Sequence, residues 1–353
     1  MPFRFSIKSI HFHFRFEART SRGALRQRTS WFILIHHDHH PDRVGIGECA
    51  PLAGLSPEPI DQMDTLLPGI LQPLQKCAEL VPGDADRLIP PEYPAMRMAL
   101  ETALLDFYHG GRRLVFDNSF IRGVPIPING LIWMGDPDFM LQQIIEKVDQ
   151  GYSCLKLKVG ALDFEEECRL LAFIREKYKN LEIRLDANGA FPAQEALHML
   201  RELARFKIHS IEQPISPGHP ALEDICRNSP VPVALDEELI RISGEHDRQQ
   251  LLRRARPAYI ILKPTLHGAF SGCAQWIQVA ESQGVGWWVT SALESNIGLN
   301  AICQFTAQYP VHRVHGLGTG QLYENNFSSP LTAERGVIRY EVSRAWDLRS
   351  LFS

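Results

Sequence analysis

Cys154-Leu155-Lys156-Leu157-Lys158-Val159 is the stretch on which the reading of this chain turns. A strand sends alternate side chains to opposite faces, so Lys156 and Lys158 share one face and the apolar residues share the other. Taken alone, an edge strand with solvated lysines has the same pattern. The surrounding sequence adds a rhythm. Short β-rich runs at 125–129, 154–159, 183–186, 210–212, 233–236, 259–263, 287–291 and 314–317 alternate with helical patterns such as 139–150, 164–178, 193–205 and 269–283. Eight strands separated by helices predict a closed parallel barrel of the α/β class, with a doubly wound open sheet as the rival. In a barrel the apolar set packs on the helices and both lysines point into the mouth.

The next strands supply acids at matching points. Asp186 closes Ile183-Arg-Leu-Asp186, Glu212 closes Ser210-Ile-Glu212, and Asp236 closes Val233-Ala-Leu-Asp236. The intervals, 212 − 186 = 26 and 236 − 212 = 24 residues, are one β/α unit each. Such acids converge at the C-terminal face, where barrel active sites lie. One strand-end Asp is commonly a turn residue or a helix cap. Three in phase read better as ligands, because converging anionic oxygens repel unless a cation sits among them. An all-oxygen set suits Mg²⁺, with Mn²⁺ as a substitute. Lys263 closes Ile260-Ile-Leu-Lys263, 263 − 236 = 27 residues after Asp236, and faces the first two lysines across the barrel. Asn188 and Glu237 are candidates for orienting the metal ligands from behind. Ser291 and Glu294, at the end of the seventh strand, are candidates for substrate contact.

Before residue 120 the pattern differs. Phe3, Phe5 and Ile7, then Phe12, Phe14 and Phe16, alternate with polar residues and predict half-buried strands. Residues 31–35 and 44–46 flank a polar tip like the arms of a hairpin, and Met96, Leu100, Ala103, Leu104 and Phe107 recur at helical spacing. The first 120 residues thus read as an α+β domain, which the segment 325–353 is expected to complete, and 121–324 as the barrel domain. The histidine-rich run 36–40 sits at the hairpin tip and reads as a solvated loop. Gly316-Leu-Gly318-Thr-Gly320 lacks a strand–helix setting and reads as a turn.

The whole chain sets the outer bounds. Its 353 residues exceed one ordinary core. A formal net charge of −4 excludes a general nucleic-acid binder. No apolar run approaches the roughly 20 residues that span a membrane. Seven scattered cysteines without a Cys-x-x-Cys pair favour reduced thiols and a cytoplasmic protein. The partner expected is a small molecule, and the reading leaves room for a homo-oligomer.

The set Lys156-x-Lys158, Asp186-Ala-Asn188, Glu212-Gln-Pro214, Asp236-Glu237 and Lys263-Pro264 resembles the muconate-lactonizing subgroup of the enolase superfamily over essentially the whole chain. Within it, 290–299, 316–322 and Thr20-Ser21-Arg22-Gly23 resemble the o-succinylbenzoate synthase family. The resemblance implies a modified (β/α)₇β barrel of TIM type, capped by an α+β N-terminal domain. It implies that Lys158 is the base that removes a proton α to a carboxylate, that Lys156 adds positive charge beside that carboxylate, and that Lys263 acts from the opposite face. Ser21 and Arg22 lie, by the same resemblance, in a loop that covers the substrate. The activity implied is Mg²⁺-dependent dehydration of 2-succinyl-6-hydroxy-2,4-cyclohexadiene-1-carboxylate to 2-succinylbenzoate in menaquinone biosynthesis. A dipeptide epimerase or N-acylamino acid racemase using Lys158 and Lys263 as two bases, and a non-catalytic binder of small carboxylates, are the alternatives.

Overall fold

In the computed structural model, residues 3–20, 23–310 and 313–352 are described. Strands β1 (Phe3–Thr20), β2 (Gly23–His37) and β3 (Gly45–Cys49) form an antiparallel sheet in that order. Both of its faces are covered, which is why apolar residues occur in each alternation set. Phe3, Trp31, Ile33 and Ile35 pack with Met96, Leu100 and Ala103 of the helix Pro94–Tyr108. Phe12, Phe14, Phe32, Leu34 and Ile46 pack instead with Trp133, Ile297, Tyr323 and Phe327. Gly47 lets the helix approach: a Cβ there would lie 1.8 Å from the Ala99 carbonyl oxygen.

The next strands are β4 (Ile126–Pro127), β5 (Gly130–Ile132), β6 (Cys154–Lys158), β7 (Glu182–Asp186), β8 (Ser210–Glu212), β9 (Val233–Leu235), β10 (Tyr259–Leu262) and β11 (Gly286–Val289). β5 to β11 form one sheet in sequence order, and every pair in it is parallel. The ring closes through residues 315 and 316. His315 bridges Ile128 and Gly316 bridges Thr290, both in parallel sense. Seven strands and a vestigial eighth exclude the open sheet and give the modified (β/α)₇β barrel.

The first barrel strand falls later than the apolar run at 125–129 suggests. Ile126 and Pro127 pair antiparallel with Ile338 and Val337, at the edge of a sheet completed by β12 (Leu331–Glu334) and β13 (Val337–Tyr340). Pro127 has no N–H to give to an interior ladder, which confines it to an edge. The segment after β13 returns to the cap, where Leu351 joins the cluster around Phe12 and Phe32. All seven cysteines are free thiols. Among the described residues, no helix is long and apolar enough to cross a membrane.

Candidate active site

Register brings the charged residues to one level. Lys158 pairs with Asp186 and Asp186 with Glu212 along the parallel ladder, so the side chains at these positions share the barrel mouth. Lys156 Nζ donates to Glu212 and lies 2.9 Å from Asp186 Oδ2. Lys158 Nζ donates to Asp186 Oδ2 at 2.7 Å and to Asn188 Oδ1 at 2.8 Å. From the far side, Lys263 Nζ donates to Asp236. The strand ends bend away directly behind these groups, with Asn188 at φ 46° and Gln213 at φ 38°.

The three carboxylates offer oxygens that all lie within 4.8 Å of one another. Each residue is at most 1% exposed. Glu212 Oε1 and Asp236 Oδ1 are buried and accept no hydrogen bond from the described residues. Anionic oxygens left so are costly unless a cation completes them, and hard oxygen donors fit a divalent ion such as Mg²⁺.

The protonation equilibria differ between the lysines. Burial lowers Lys158, and the ammonium groups of Lys156 and Lys263 add to that against the single opposing charge of Asp186, so its pKa falls below the usual lysine value. Burial acts on Lys156 too, but Asp186, Glu212 and Asp236 outweigh it and raise its pKa. Lys263 is likewise raised on balance, burial being overcome by Asp236 and Glu237. Asp186 is buried, yet Lys156 and Lys158 hold its carboxyl well below the usual range. Glu212 is pushed up to about 7 by burial, with Lys156 opposing and the Asp186 and Asp236 charges adding.

The other candidates are placed as follows. Asn188 Nδ2 donates to Glu237 Oε1 at 2.9 Å, which ties both to the Lys158 end of the site. Ser291 Oγ is 2.6 Å from Thr319 Oγ1. Glu294 is fully buried, its carboxylate accepting from Thr265 Oγ1 and from Ala292 N at 2.7 Å. The structure therefore turns Glu294 into its own loop. Ser21 and Arg22 lie outside the described residues.

Sequence reasoning missed several residues. Gln213 Oε1 accepts from Asp236 N at 3.3 Å and Glu238 N at 3.1 Å, steadying the turn beside a candidate ligand. Glu48, at the end of the cap sheet, accepts from Ser30 Oγ, Ser295 N and Oγ, and Gly298 N, and so caps the helix Asn296–Thr306. Arg28 reaches the loop after β11. A charged residue that interrupts an otherwise apolar alternation was the available signal for Glu48.

A barrel with two lysines on one strand, a third opposite and acids on three strands between them defines a class. The chain belongs to the enolase superfamily: residues 140–343 match the family model described as Enolase C-terminal domain-like. Among individual relatives, the chain is 44% identical to an o-succinylbenzoate synthase of Desulfotalea psychrophila, over 92% of this chain and 95% of that one. It is 28% identical to an o-succinylbenzoate synthase of Thermosynechococcus vestitus over 70% of this chain and 72% of the relative. The crystal structure of MenC from Desulfotalea psychrophila superposes with a TM-score of 0.85 at 40% identity, covering 96% of this chain and 100% of that chain. An L-Ala-D/L-Glu epimerase from Bacillus subtilis shares the fold, with a TM-score of 0.82 at 20% identity and 98% of each chain covered.

Proposed function

We propose that this chain is a lyase that dehydrates 2-succinyl-6-hydroxy-2,4-cyclohexadiene-1-carboxylate to 2-succinylbenzoate in menaquinone biosynthesis. The observation that carries the reading is the 44% identity with an o-succinylbenzoate synthase along nearly all of both chains. The free thiols support a cytoplasmic setting. We take 1–120 with 325–353 as the cap and 121–324 as the barrel domain.

We assign Asp186, Glu212 and Asp236 as the ligands of one Mg²⁺ ion, with Asn188 and Glu237 orienting them. When bound, the ion supplies positive charge against the second negative charge that develops on the substrate carboxylate as its α-proton leaves. Lys158 takes that proton as a neutral amine, a form that burial and its ammonium neighbours make accessible. It then returns the proton to the departing hydroxyl, so one residue acts twice on one face and water leaves. Lys156 adds charge beside the carboxylate. Lys263, paired with Asp236, stays a cation on the opposite face. Aromatisation of the ring adds driving force. We assign Ser291 to contact with the substrate tail, Glu294 to holding the turn behind it, and Ser21 and Arg22 to covering the site.

Turnover of the cyclohexadiene carboxylate, followed by the absorbance of the aromatic product with and without Mg²⁺, tests the reading. Lys158→Ala should show no turnover at any pH, whereas Lys263→Arg should retain some, since it keeps the charge without an easily titrated amine. An epimerase needs a base on each face. Fast racemisation of N-acylamino acids with deuterium uptake from D₂O, and no 2-succinylbenzoate formed, would overturn the dehydratase assignment.

A further inference from the structure

Arg28 sits on β2 of the cap, yet its guanidinium ends in the loop that follows the seventh barrel strand. It is 8% exposed. Nη1 donates to the carbonyls of Ala292 and Leu293, both at 2.7 Å. Nη2 donates to the carbonyls of Ala50 at 2.5 Å and Pro51 at 3.2 Å, in the segment that leaves β3. One planar cation thus joins two loops that are distant in sequence. A guanidinium can do this because its donors form a rigid fork; an ammonium on a flexible stem serves one cluster at a time.

The barrel loop it grips is under strain. Leu293 has φ 65°, a left-handed conformation that a branched side chain rarely adopts. Its carbonyl accepts a second hydrogen bond, from Tyr323 OH at 2.5 Å. Within the same turn Glu294 bonds Ala292 N and Thr265 Oγ1, and Thr265 lies two residues past Lys263. Contacts therefore run without a gap from the 50–51 segment of the cap, through Arg28 and the 292–294 turn, to the end of the strand that bears Lys263.

We propose that Arg28 is a positioning residue for the reaction. It locks the cap segment at 50–51 and the 291–295 turn in one register, so the turn that carries Ser291 is set by the cap. The four carbonyls it grips belong to the backbone, so this part of the clamp fixes geometry whatever side chains those loops carry. This rests on the dehydratase reading, in which Ser291 on the same turn meets the substrate tail.

The test compares wild type, Arg28→Lys, Arg28→Met and Tyr323→Phe by steady-state kinetics, thermal melting and hydrogen exchange. Arg28→Lys should raise KM at least tenfold while kcat stays within about threefold, the signature of lost binding geometry. Amides of the 291–295 turn should exchange at least tenfold faster in Arg28→Met and Arg28→Lys, with β6 to β9 protected as in wild type. Tyr323→Phe, which removes one of the bonds to Leu293, should show a smaller change in the same direction. A fall in kcat at constant KM with uniformly faster exchange, or unchanged KM and unchanged exchange at 291–295, overturns the clamp. Absence of dehydratase turnover in the wild type would instead refute the function, and the exchange data would still decide the clamp.

Discussion

Replacing Glu101 by Gln should flatten the pH dependence of stability. Glu101 lies on the cap helix Pro94–Tyr108 and is 8% exposed. Its Oε2 accepts from Phe270 N at 3.1 Å and Ser271 N at 3.4 Å, at the start of the barrel helix Ala269–Ser282. Burial, with the charge of Asp86 adding, pushes its pKa up to about 8, against 4.5 for the ordinary carboxyl. Between those values the folded protein keeps a proton that the unfolded chain has released, so raising the pH favours unfolding. The stability is fully present below the unfolded pKa and is lost as pH rises toward the folded one. One proton corresponds to roughly 1.4 kcal/mol per pH unit, so about 3 kcal/mol disappears between pH 5 and pH 7 on this account alone. The amide keeps the shape and an acceptor oxygen but does not titrate. Glu58, pushed up to about 7 by burial, adds the same slope to both proteins and cancels in the difference. Urea midpoints by circular dichroism at pH 5, 6, 7 and 8 should nearly coincide at the acid end and separate progressively, with the variant the more stable at pH 8. Parallel curves would refute the buried, protonated carboxyl as the cap of that helix.

Two further substitutions address the site and the cap. Asp236→Asn should weaken Mg²⁺ binding at least about a hundredfold by calorimetry with the circular dichroism spectrum unchanged, a loss of roughly 3 kcal/mol; wild-type affinity would remove Asp236 from the ligand set. Gly47→Ala sets a methyl group 1.8 Å from the Ala99 carbonyl oxygen, so the helix must shift as a body. A loss of at least about 3 kcal/mol in urea unfolding is expected, and a loss under about 1 kcal/mol would show that the helix yields easily.

The barrel and its charged set were legible because a strand buried on both sides cannot carry a lysine or an acid by accident of exposure. Lys156 and Lys158 share one strand, Asp186, Glu212, Asp236 and Lys263 follow it at intervals of one β/α unit, and the ladder register brings the residues of neighbouring strands level. The start of the barrel was not legible in this way. Residues 126–127 and 130–132 are separated by only two residues, and what assigns them to different sheets is the pairing of 126–127 with residues more than 200 positions later. The same limit hid Arg28 and Glu48. Arg28 looks like a polar member of a half-buried strand and Glu48 shows only as a charge in an apolar alternation, and the docked barrel loop supplies the partners that sequence does not name. Glu294 carried the right residue type for substrate contact, but its bonds to Thr265 and Ala292 depend on how the loop folds back.

The first strand closes against chain made much later. His13 N donates to Asn325 Oδ1, 312 residues away, Phe14 bridges Tyr323, and Phe12 and Phe14 pack with Tyr323. Ribosomes add roughly 5–20 residues per second, so these phenylalanines wait on the order of 15–60 s for their cover. During that interval a strand with aromatic side chains lies open on a growing chain, next to others like it on the same message. Exposure of residues 10–16 during synthesis is thus a cost that the stability of the finished fold does not register.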